Sequence, residues 1–422
     1  MRESSAGRLA SDRGVDNPAV GHTLEREGCP ARTHRQLLPP APIQSAARRA
    51  TLWLSLALAV LAALAGPAGA THSSDHVLPA YGVGALRAEW LADFPLGVED
   101  LGRMGGARVG MYRARFRQDE VNGVTGWSRL DNLARIAAQN GVTLQPVLIN
   151  MPGEAYAPPK TAIERASFGE FATAAVRRYG PNGTFWTTCG CPTRPIRLWE
   201  VWNEPNLAPF WDLPNPAEYA ALLSSTRSAL RNADPTARVL FGGLAYPSSL
   251  SATRLEPNAF LRDTIQAAGA NRFDALALHN YRPDAARAVD TFIAGTVQTL
   301  RTYGGTTPQG APRHQVWVNE FGRPTELDNP DTPADERAAS EATQQAWLDG
   351  FLGRLLPQAS AWNLGPVMWY SLRDSHQPTA SWLRQGLRRS AADDADAGPK
   401  PSWDAYTARS SVADFVWLPV RR

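Results

Sequence analysis

The sequence contains little lysine, little cysteine and no apolar segment long enough to span a membrane, and these shortages exclude several classes of protein. Lysine occurs only at positions 160 and 400, and arginine supplies the other basic residues, as expected from biased base composition. The formal net charge of +3 comes entirely from residues 1–70, which hold eight Arg and five acidic residues. Residues 71–422 are formally neutral, so the charge does not indicate a nucleic acid or other polyanion as a partner.

Only three cysteines are present, and two of them form a Cys-Gly-Cys sequence at positions 189 and 191. Two thiols are too few for a structural zinc site, and we predict neither a metal site nor a cofactor. An exported protein would allow the two thiols to pair. A local disulfide and two free thiols therefore both remain open.

The N-terminal 70 residues have the composition of a leader rather than of a folded domain. Residues 1–50 are rich in Arg, Pro, Ala and Ser without periodicity, which predicts disorder. Two arginines at 48 and 49 precede fourteen apolar or small residues at 52–65, which suit the apolar core of a signal peptide, and 68–70 offer a small-x-small cleavage site. We expect a secreted or cell-envelope protein with no membrane span in the mature chain; an uncleaved N-terminal anchor is the alternative.

The residue types that are abundant in the sequence indicate a globular protein with aromatic surfaces. The chain is 43% hydrophobic and 20% charged, an ordinary globular composition, and residues 71–422 are long enough for one large domain. Fourteen Trp, ten Tyr and 34 Pro favour aromatic-lined surfaces and shaped loops, which suit flat polar ligands.

Strand-like and helix-like segments alternate without a break between residues 77 and 410. The predicted strands cover 81–84, 107–112, 142–149, 196–202, 238–242, 273–279, 315–320 and 365–371. The predicted helices cover 98–105, 127–139, 163–179, 216–232, 258–268, 285–303, 335–356 and 403–408. Eight strand-helix pairs predict an α/β fold, a single (β/α)8 TIM barrel over residues 71–422, with a mobile loop at 372–399. A doubly wound open sheet is the alternative, but its glycine-rich fingerprint is missing.

Two glutamates come at the ends of mainly apolar, strand-like runs. Glu204 follows Arg-Leu-Trp-Glu-Val-Trp-Asn after the fourth predicted strand, and Glu320 follows Val-Trp-Val-Asn on the seventh. A glutamate that caps a helix or pairs with an arginine is the alternative interpretation of either residue. In a barrel, however, both would lie at the carboxyl-terminal end, where catalytic groups are found. Two carboxylates about 5 Å apart there would suit a retaining glycosidase, one as acid/base and one as nucleophile.

The motifs around these residues resemble a known group. Trp202-Asn-Glu-Pro205 and Glu320-Phe-Gly322 look like the corresponding motifs of the retaining (β/α)8 glycoside hydrolase clan, with its cellulase-like, β-xylosidase-like and exopolysaccharide-hydrolase families. The resemblance covers roughly residues 78–410. Phe210-Trp211, Gly242-Gly243-Leu244 and Lys400-Pro401 suggest the β-xylosidase-like and biofilm-polysaccharide branch. The resemblance implies that Glu204 is the acid/base and Glu320 the nucleophile.

Further substrate-binding positions follow from the same resemblance. Asn203 resembles the amide that binds the sugar 2-hydroxyl, and His279 and Tyr281 match positions that hydrogen-bond the substrate and the nucleophile. Arg113, which we place at the end of the second strand, resembles an arginine near the nucleophile. Arg115 is the alternative for that role, and a surface ion pair is a third interpretation.

Aromatic positions and the remaining carboxylate are harder to interpret. Trp369 resembles a sugar-stacking platform, and packing in the barrel core is an equal alternative. Trp211 and Trp127 are weaker candidates for outer subsites. Glu200 lies on the same strand face as Glu204 but in the middle of the strand, and we set it aside because we expect it to lie too far from the barrel mouth to reach a substrate.

The expected activity is double-displacement hydrolysis of O-glycosidic bonds, expected to be β-linked, in a poly- or oligosaccharide. Glu204 needs a raised pKa, for which Trp199, Trp202 and an ionised Glu320 are candidate causes. Hydrogen bonds from Arg113 and Tyr281 would keep Glu320 ionised. A catalytically silent carbohydrate-binding barrel and a transglycosylase with the same residues are the alternatives.

Overall fold

The computed structural model describes residues 78–79, 81–84, 95–247, 249–325, 339–374, 384–389, 398–410 and 414–415. The leader and signal peptide predicted at 1–70, and the greater part of the predicted loop 372–399, lie outside these residues. Among the described helices, none is both long enough and apolar enough to cross a bilayer.

Eight parallel strands close into a barrel. They are β1 (Tyr81–Gly84), β2 (Met111–Arg117), β3 (Thr143–Ile149), β4 (Leu198–Val201), β5 (Arg238–Ala245), β6 (Ala275–Asn280), β7 (Gln315–Phe321) and β8 (Leu364–Tyr370). Each strand pairs with the next, and β1 pairs with both β2 and β8, so no edge is left in the sheet. A short antiparallel pairing also joins Leu78–Pro79 to Asp414–Phe415.

A helix follows each strand. These helices are α1 (Pro95–Gly106), α2 (Ser128–Gln139), α3 (Ala162–Tyr179), α4 (Pro216–Ala233), α5 (Pro257–Ala268), α6 (Ala285–Arg287, Ala288–Ile293, Ala294–Thr299 and Leu300–Gly304, the second and fourth parts being π-helical), α7 (Glu341–Leu355) and α8 (Pro401–Ser410). Shorter helical turns occur at Gln118–Val121, Pro152–Glu154, Thr184–Thr188, Ala270–Arg272 and Leu356–Gln358. The α/β class and the strand-helix alternation predicted from the sequence are confirmed.

Local sequence explains where helices begin. The Thr161 hydroxyl accepts from the backbone N–H of Glu164, whose carboxylate accepts from the Thr161 N–H, a capping box that starts α3. The Asn215 side chain accepts from the backbone N–H groups of Ala217 and Glu218 at the start of α4 and is followed by Pro216, whose fixed φ suits the first helical turn.

The second strand was predicted too early. The sequence predicts 107–112, whereas β2 spans Met111–Arg117 and its residues are all buried. Met111 and the three arginines of this strand face the barrel interior, where charge is unusual, and the alternate residues Tyr112, Ala114 and Phe116 face outward to the helices. Arg113 is therefore the third residue of the strand and does not end it.

The barrel interior is apolar at one end and polar at the other. Seven buried residues form an apolar cluster separate from the main core: Met111, Leu198, Leu240, Ala275, Ala277, Trp317 and Met368. They lie on six strands, and two residues further along several of these strands the same inward face carries Arg113, Glu200, His279, Asn319 and Tyr370. Because side chains alternate along a strand, this step of two moves from the apolar filling to a polar layer nearer the carboxyl-terminal end.

The structure decides between a local disulfide and two free thiols at Cys189 and Cys191. Cys189 and Cys191 are joined by a disulfide in the connection between the short helix Thr184–Thr188 and β4. The pair is a local cross-link of the connecting loop.

Candidate active site

The chain leaves β4 in an uncommon conformation that places Glu204. Trp202 and Glu204 have φ values of 72° and 42°, in the left-handed region that side-chain-bearing residues rarely adopt. The Glu204 N–H donates to the Gly243 carbonyl at 3.1 Å, and Asn206 bonds the backbone of Ala245 through both its amide atoms. Such conformations cost about 1–3 kcal/mol each and persist where neighbours enforce them. The turn is thus fixed against β5 and directs Glu204 to the barrel axis.

A β-bulge places Glu320. Leu278 of β6 pairs with Val318, but the next residue, His279, pairs with Glu320, so Asn319 is extra in β7. A bulge re-aims the side chains that follow it. Both Asn319 and Glu320 consequently contact interior groups, Glu200 and Arg113 respectively.

The two glutamates and a histidine form a tight cluster. One side-chain oxygen of Glu204, one of Glu320 and a ring nitrogen of His279 all lie within 4.8 Å of one another. His279 Nδ1 shares a hydrogen bond with Glu204 Oε1 at 2.7 Å and lies 3.5 Å from Glu320 Oε2. A Cβ on Gly243 would come within 1.9 Å of the imidazole, so only glycine leaves room for this ring. The predicted proximity of the two carboxylates is thus present.

Their environments push the two pKa values apart. Burial raises the pKa of Glu204 above its ordinary value of 4.5, and the negative charge of Glu320 adds to the rise, while His279 opposes it. Burial also acts to raise the pKa of Glu320, but His279, Arg113 and the Tyr281 hydroxyl outweigh it and lower this pKa below 4.5. Opposite shifts in a carboxylate pair are the pattern expected of an acid and a nucleophile.

The apolar surroundings of Glu204 differ in one respect from those predicted. Trp199 packs edge-on against Phe116, a contact between outward faces of the strands, so it does not supply the apolar setting. Tyr156 and Phe210 instead pack together beside Trp202, on the side of the barrel where β3 and β4 end.

Arg113 and Tyr281 both bond Glu320, as predicted. Arg113 Nη1 donates to Glu320 Oε1 at 2.5 Å, and the Tyr281 hydroxyl donates to Oε2. Arg113 Nη2 also donates to Asn203 Oδ1 at 2.8 Å, which leaves the Asn203 amide nitrogen as the group available to a ligand. The choice between the two arginines falls on Arg113, because Arg115 makes none of these contacts.

Glu200, predicted to lie too far from the mouth to reach a substrate, has a positioning role that the sequence analysis did not foresee. Glu200 is fully buried and pairs with Arg113 through two bonds, Nε–Oε2 at 2.7 Å and Nη2–Oε1 at 2.8 Å. It also accepts from Gln145, Asn319 and the Gly243 N–H. Glu200 touches no group that could meet a substrate, but it fixes the guanidinium that holds Glu320 and Asn203. A charged residue inside a buried strand requires a buried partner, and this signal was available in the sequence.

Trp369 has the contacts of a packing residue. It is fully buried, donates from Nε1 to the Gln385 carbonyl at 2.7 Å and packs edge-on against Phe321 and Trp347 of α7. This matches the alternative of core packing and leaves no ring face for a sugar. The next residue, Tyr370, lies on the inward face and packs edge-on against Tyr281. Tyr370 was not predicted as a site residue, because an error of one residue in assigning the inward-facing side chains exchanges the two faces of a strand.

The other tryptophan candidates also lie away from the cluster. Trp211 is fully buried and donates to Glu218 of α4. Trp127 stacks on Phe171 of α3 and lines a cavity of about 730 Å3 among α2, α3 and α4, on the outside of the barrel. None of the residues around that cavity belongs to the carboxylate cluster, so it is not the candidate active site.

Glu204, His279 and Glu320 also form a donor set of the kind that holds a divalent cation. His279 Nδ1 and Glu204 Oε1 already share a proton at 2.7 Å, so a cation would compete with that hydrogen bond. The opposite pKa shifts of the carboxylates suit proton transfer, and the predicted absence of a metal or cofactor stays a prediction.

No protein-family model matches the sequence, and no curated protein matches it. Solved structures do match. A family 39 glycoside hydrolase from Bacteroides cellulosilyticus WH2 is 19% identical with a TM-score of 0.54, over 79% of this chain and 64% of that chain. A monomeric β-xylosidase from Caulobacter crescentus CB15 is 16% identical with a TM-score of 0.56, over 81% and 69%. An exo-β-1,4-mannosidase from Opitutaceae bacterium strain TAV5 is 17% identical with a TM-score of 0.54, over 80% and 60%.

These similarities concern the fold, because the identities are low. The chain spans between 60 and 69% of the length of the three structures. The resemblance predicted from the two glutamate motifs is confirmed at this level: the chain has the fold of family 39 glycoside hydrolases and related glycosidases.

Proposed function

We propose that the protein is a retaining glycoside hydrolase with a complete (β/α)8 barrel as its catalytic domain. One observation carries this proposal: Glu204 and Glu320 are buried together at the carboxyl-terminal end of the barrel, with oxygens within 4.8 Å and pKa values shifted in opposite directions. A separation of about 5 Å favours a retaining mechanism, because an inverting enzyme needs room for a water molecule between its carboxyl groups.

The first step forms a glycosyl-enzyme. Protonated Glu204 gives its proton to the glycosidic oxygen as that bond breaks, and ionised Glu320 attacks the anomeric carbon from the opposite side. Arg113 and Tyr281 hold one oxygen each of Glu320, so they orient the nucleophile. The Asn203 amide nitrogen is placed to donate to the sugar 2-hydroxyl.

The second step releases the sugar. Glu204, now ionised, removes a proton from a water molecule, which attacks the anomeric carbon and displaces Glu320 with net retention of configuration. His279 lies between the two carboxylates and stabilises whichever of them is ionised at each stage. We infer that the substrate is a poly- or oligosaccharide with an expected β-linkage, and that the enzyme acts outside the cell or in the cell envelope.

The test is hydrolysis of a panel of nitrophenyl glycosides by the full chain and by Glu320→Ala. We expect the variant to lose at least about 10³-fold in kcat, because no other group forms the covalent intermediate. Azide should restore turnover and give a glycosyl azide of inverted configuration. Glu200→Gln, which alters a buried carboxylate without a nucleophilic role, is the matched variant and should give no azide product.

Absence of turnover on every glycoside and polysaccharide tested, with glycan binding retained, would support a silent carbohydrate-binding barrel instead. Transfer of the sugar to an added acceptor at the expense of hydrolysis would identify a transglycosylase with the same residues.

A further inference from the structure

Three arginines alternate along β2 and face the barrel interior. Arg113, the deepest, donates hydrogen bonds to Glu200, Asn203 and Glu320. Arg117, at the carboxyl-terminal end of the strand, pairs with Asp119 at 2.7 Å and donates to the Met151 carbonyl at 2.8 Å. Arg115 lies between them, on the same face and closer to the open end of the barrel than Arg113.

Arg115 is buried without a carboxylate. Its exposed fraction is 9%, yet its polar contact is a weak one from Nη1 to the Met151 sulfur at 3.4 Å. Its guanidinium lies 5.7 Å from the ring centre of Tyr156, and its Nε is buried without a hydrogen-bond partner. Among the residues that the structure describes, none forms an ion pair with it. Buried guanidinium groups are ordinarily paired, because an unpaired buried charge is unfavourable.

A second polar group beside Arg115 also lacks a partner. The Tyr156 hydroxyl, on the loop after β3, is buried and bonds no described residue. Burial raises the pKa of Tyr156 to about 12, Arg115 opposes the rise and Glu204 adds to it, so the phenol lies near both groups. The charge of Arg115 in turn contributes to lowering the pKa of Glu320. Arg115 and Tyr156 thus border the space in which the carboxylate pair would act.

We propose that Arg115 and Tyr156 form a subsite for an anionic substituent, a carboxylate or a sulfate ester, on the sugar that binds beside Glu204 and Glu320. This inference rests on the proposed function for its placement. A planar guanidinium presents two parallel N–H donors that match two oxygens of such a group, and the phenol supplies a third donor. The substituent would complete the ion pair that Arg115 lacks in the protein alone.

Two other roles for Arg115 make different predictions. If it binds neutral hydroxyl groups, its loss should weaken charged and neutral substrates alike. If it only supports the ionisation of Glu320, its loss should shift the acidic limb of the pH profile for every substrate. An anion subsite alone predicts an effect on the ratio between charged and neutral substrates.

The experiment compares matched oligosaccharides that differ in one substituent: a neutral hydroxymethyl group, the corresponding uronate, and the corresponding sulfate ester. Binding is measured by calorimetry and turnover as kcat/KM, with the full chain and with Arg115→Gln, Arg115→Lys and Arg117→Gln. We expect the unaltered protein to prefer one charged form by about tenfold or more. Whether the uronate or the sulfate is preferred distinguishes the two sources of the charge.

Arg115→Gln should abolish this preference, Arg115→Lys should retain part of it, and Arg117→Gln, whose arginine is already paired, should retain it fully. Equal binding of charged and neutral forms by the unaltered protein would overturn the proposal, whatever the folding of the variants. So would an equal loss on both forms in Arg115→Gln. A binding preference that depends on Arg115 without turnover of any sugar would support the subsite while refuting the hydrolase.

Discussion

Two adjacent layers inside the barrel differ in whether their polar groups have hydrogen-bond partners. In the lower layer, formed by Arg113, Glu200, Gln145 and Asn319, the charges meet: Glu200 accepts five hydrogen bonds and Arg113 bonds two carboxylates. In the upper layer, formed by Arg115 and Tyr156, the Arg115 Nε and the Tyr156 hydroxyl are buried without partners. Arg113 and Glu200 are almost fully buried and Arg115 is 9% exposed, so the larger difference between the two layers lies in the hydrogen-bond partners of their polar groups.

This contrast separates positioning from recognition. A saturated group gains little from a ligand, but it holds its neighbours in fixed orientations, as Arg113 holds Glu320. An unsatisfied buried group is unfavourable in the protein alone and is expected where a ligand completes it. Stability and activity should therefore respond differently to substitutions in the two layers.

The largest effects on stability are expected from substitutions in the lower layer, such as Glu200→Ala. The substitution removes the acceptor of the Gly243 N–H and one acceptor each from the amides of Gln145 and Asn319. It also removes one of the two carboxylates from the buried Arg113. Breaking a buried ion pair on one side costs about 3–5 kcal/mol, so the free energy of unfolding should fall by that amount. Urea unfolding followed by tryptophan fluorescence measures it.

Asp290→Ala is the control for that measurement. Asp290 pairs with Arg354 at 2.9 Å, but both side chains are more than half exposed, so its loss should cost less than about 1 kcal/mol. Equal effects of Glu200→Ala and Asp290→Ala would show that the lower layer is not held by its buried charges.

The pH dependence of kcat/KM should be bell-shaped with limbs on either side of 4.5. Activity requires Glu320 ionised, and its lowered pKa places the loss of activity on acidification below 4.5. It also requires Glu204 protonated, and its raised pKa places the loss on alkalinisation above 4.5. The two values belong to a coupled pair, and kcat/KM reports them for the free enzyme.

Tyr281→Phe sharpens this prediction. The Tyr281 hydroxyl lowers the pKa of Glu320, so its removal should move the acidic limb to higher pH and leave the basic limb in place. A shift of the basic limb alone would contradict the assignment of Glu320 to the acidic limb.

The sequence predicted the carboxylate pair because each glutamate comes at the end of a mainly apolar, strand-like run. Glu204 and Glu320 needed only strand ends and barrel topology, and the strand-helix order was regular enough to supply both. Contacts between distant strands were not visible in the same way. The pairing of Glu200 with Arg113 joins residues 87 positions apart, and the hydrogen bond from Asn319 to Glu200 joins residues 119 positions apart.

The second difficulty was to tell which residues of a uniformly apolar strand face the barrel interior. Gly-Pro-Val-Met-Trp-Tyr in β8 has no alternation, so nothing in it indicates that Tyr370 rather than Trp369 faces the interior. In β2 the charged residues Arg113 and Arg115 suggested that the strand ended at Tyr112. A polar barrel interior reverses the usual rule that the charged face of a strand is exposed.

The smallest effect on stability is expected from substitution of Arg115, which lies two residues after Arg113 on the same strand. Arg113→Met should destabilise the protein by about 3–5 kcal/mol, because it leaves the Glu200 carboxylate buried without a cationic partner. Arg115→Met removes a buried charge that no described residue pairs with and keeps an apolar side chain of similar reach. It should change the free energy of unfolding by less than about 1 kcal/mol, or raise it, since relief of desolvation offsets the lost contacts with Tyr156 and Met151. Parallel urea titrations of the two variants provide the measurement. If Arg115→Met were as destabilising as Arg113→Met, Arg115 would be a structural residue and the upper layer would need no ligand. A stable variant would show that Arg115 is not needed for folding, as the binding role requires.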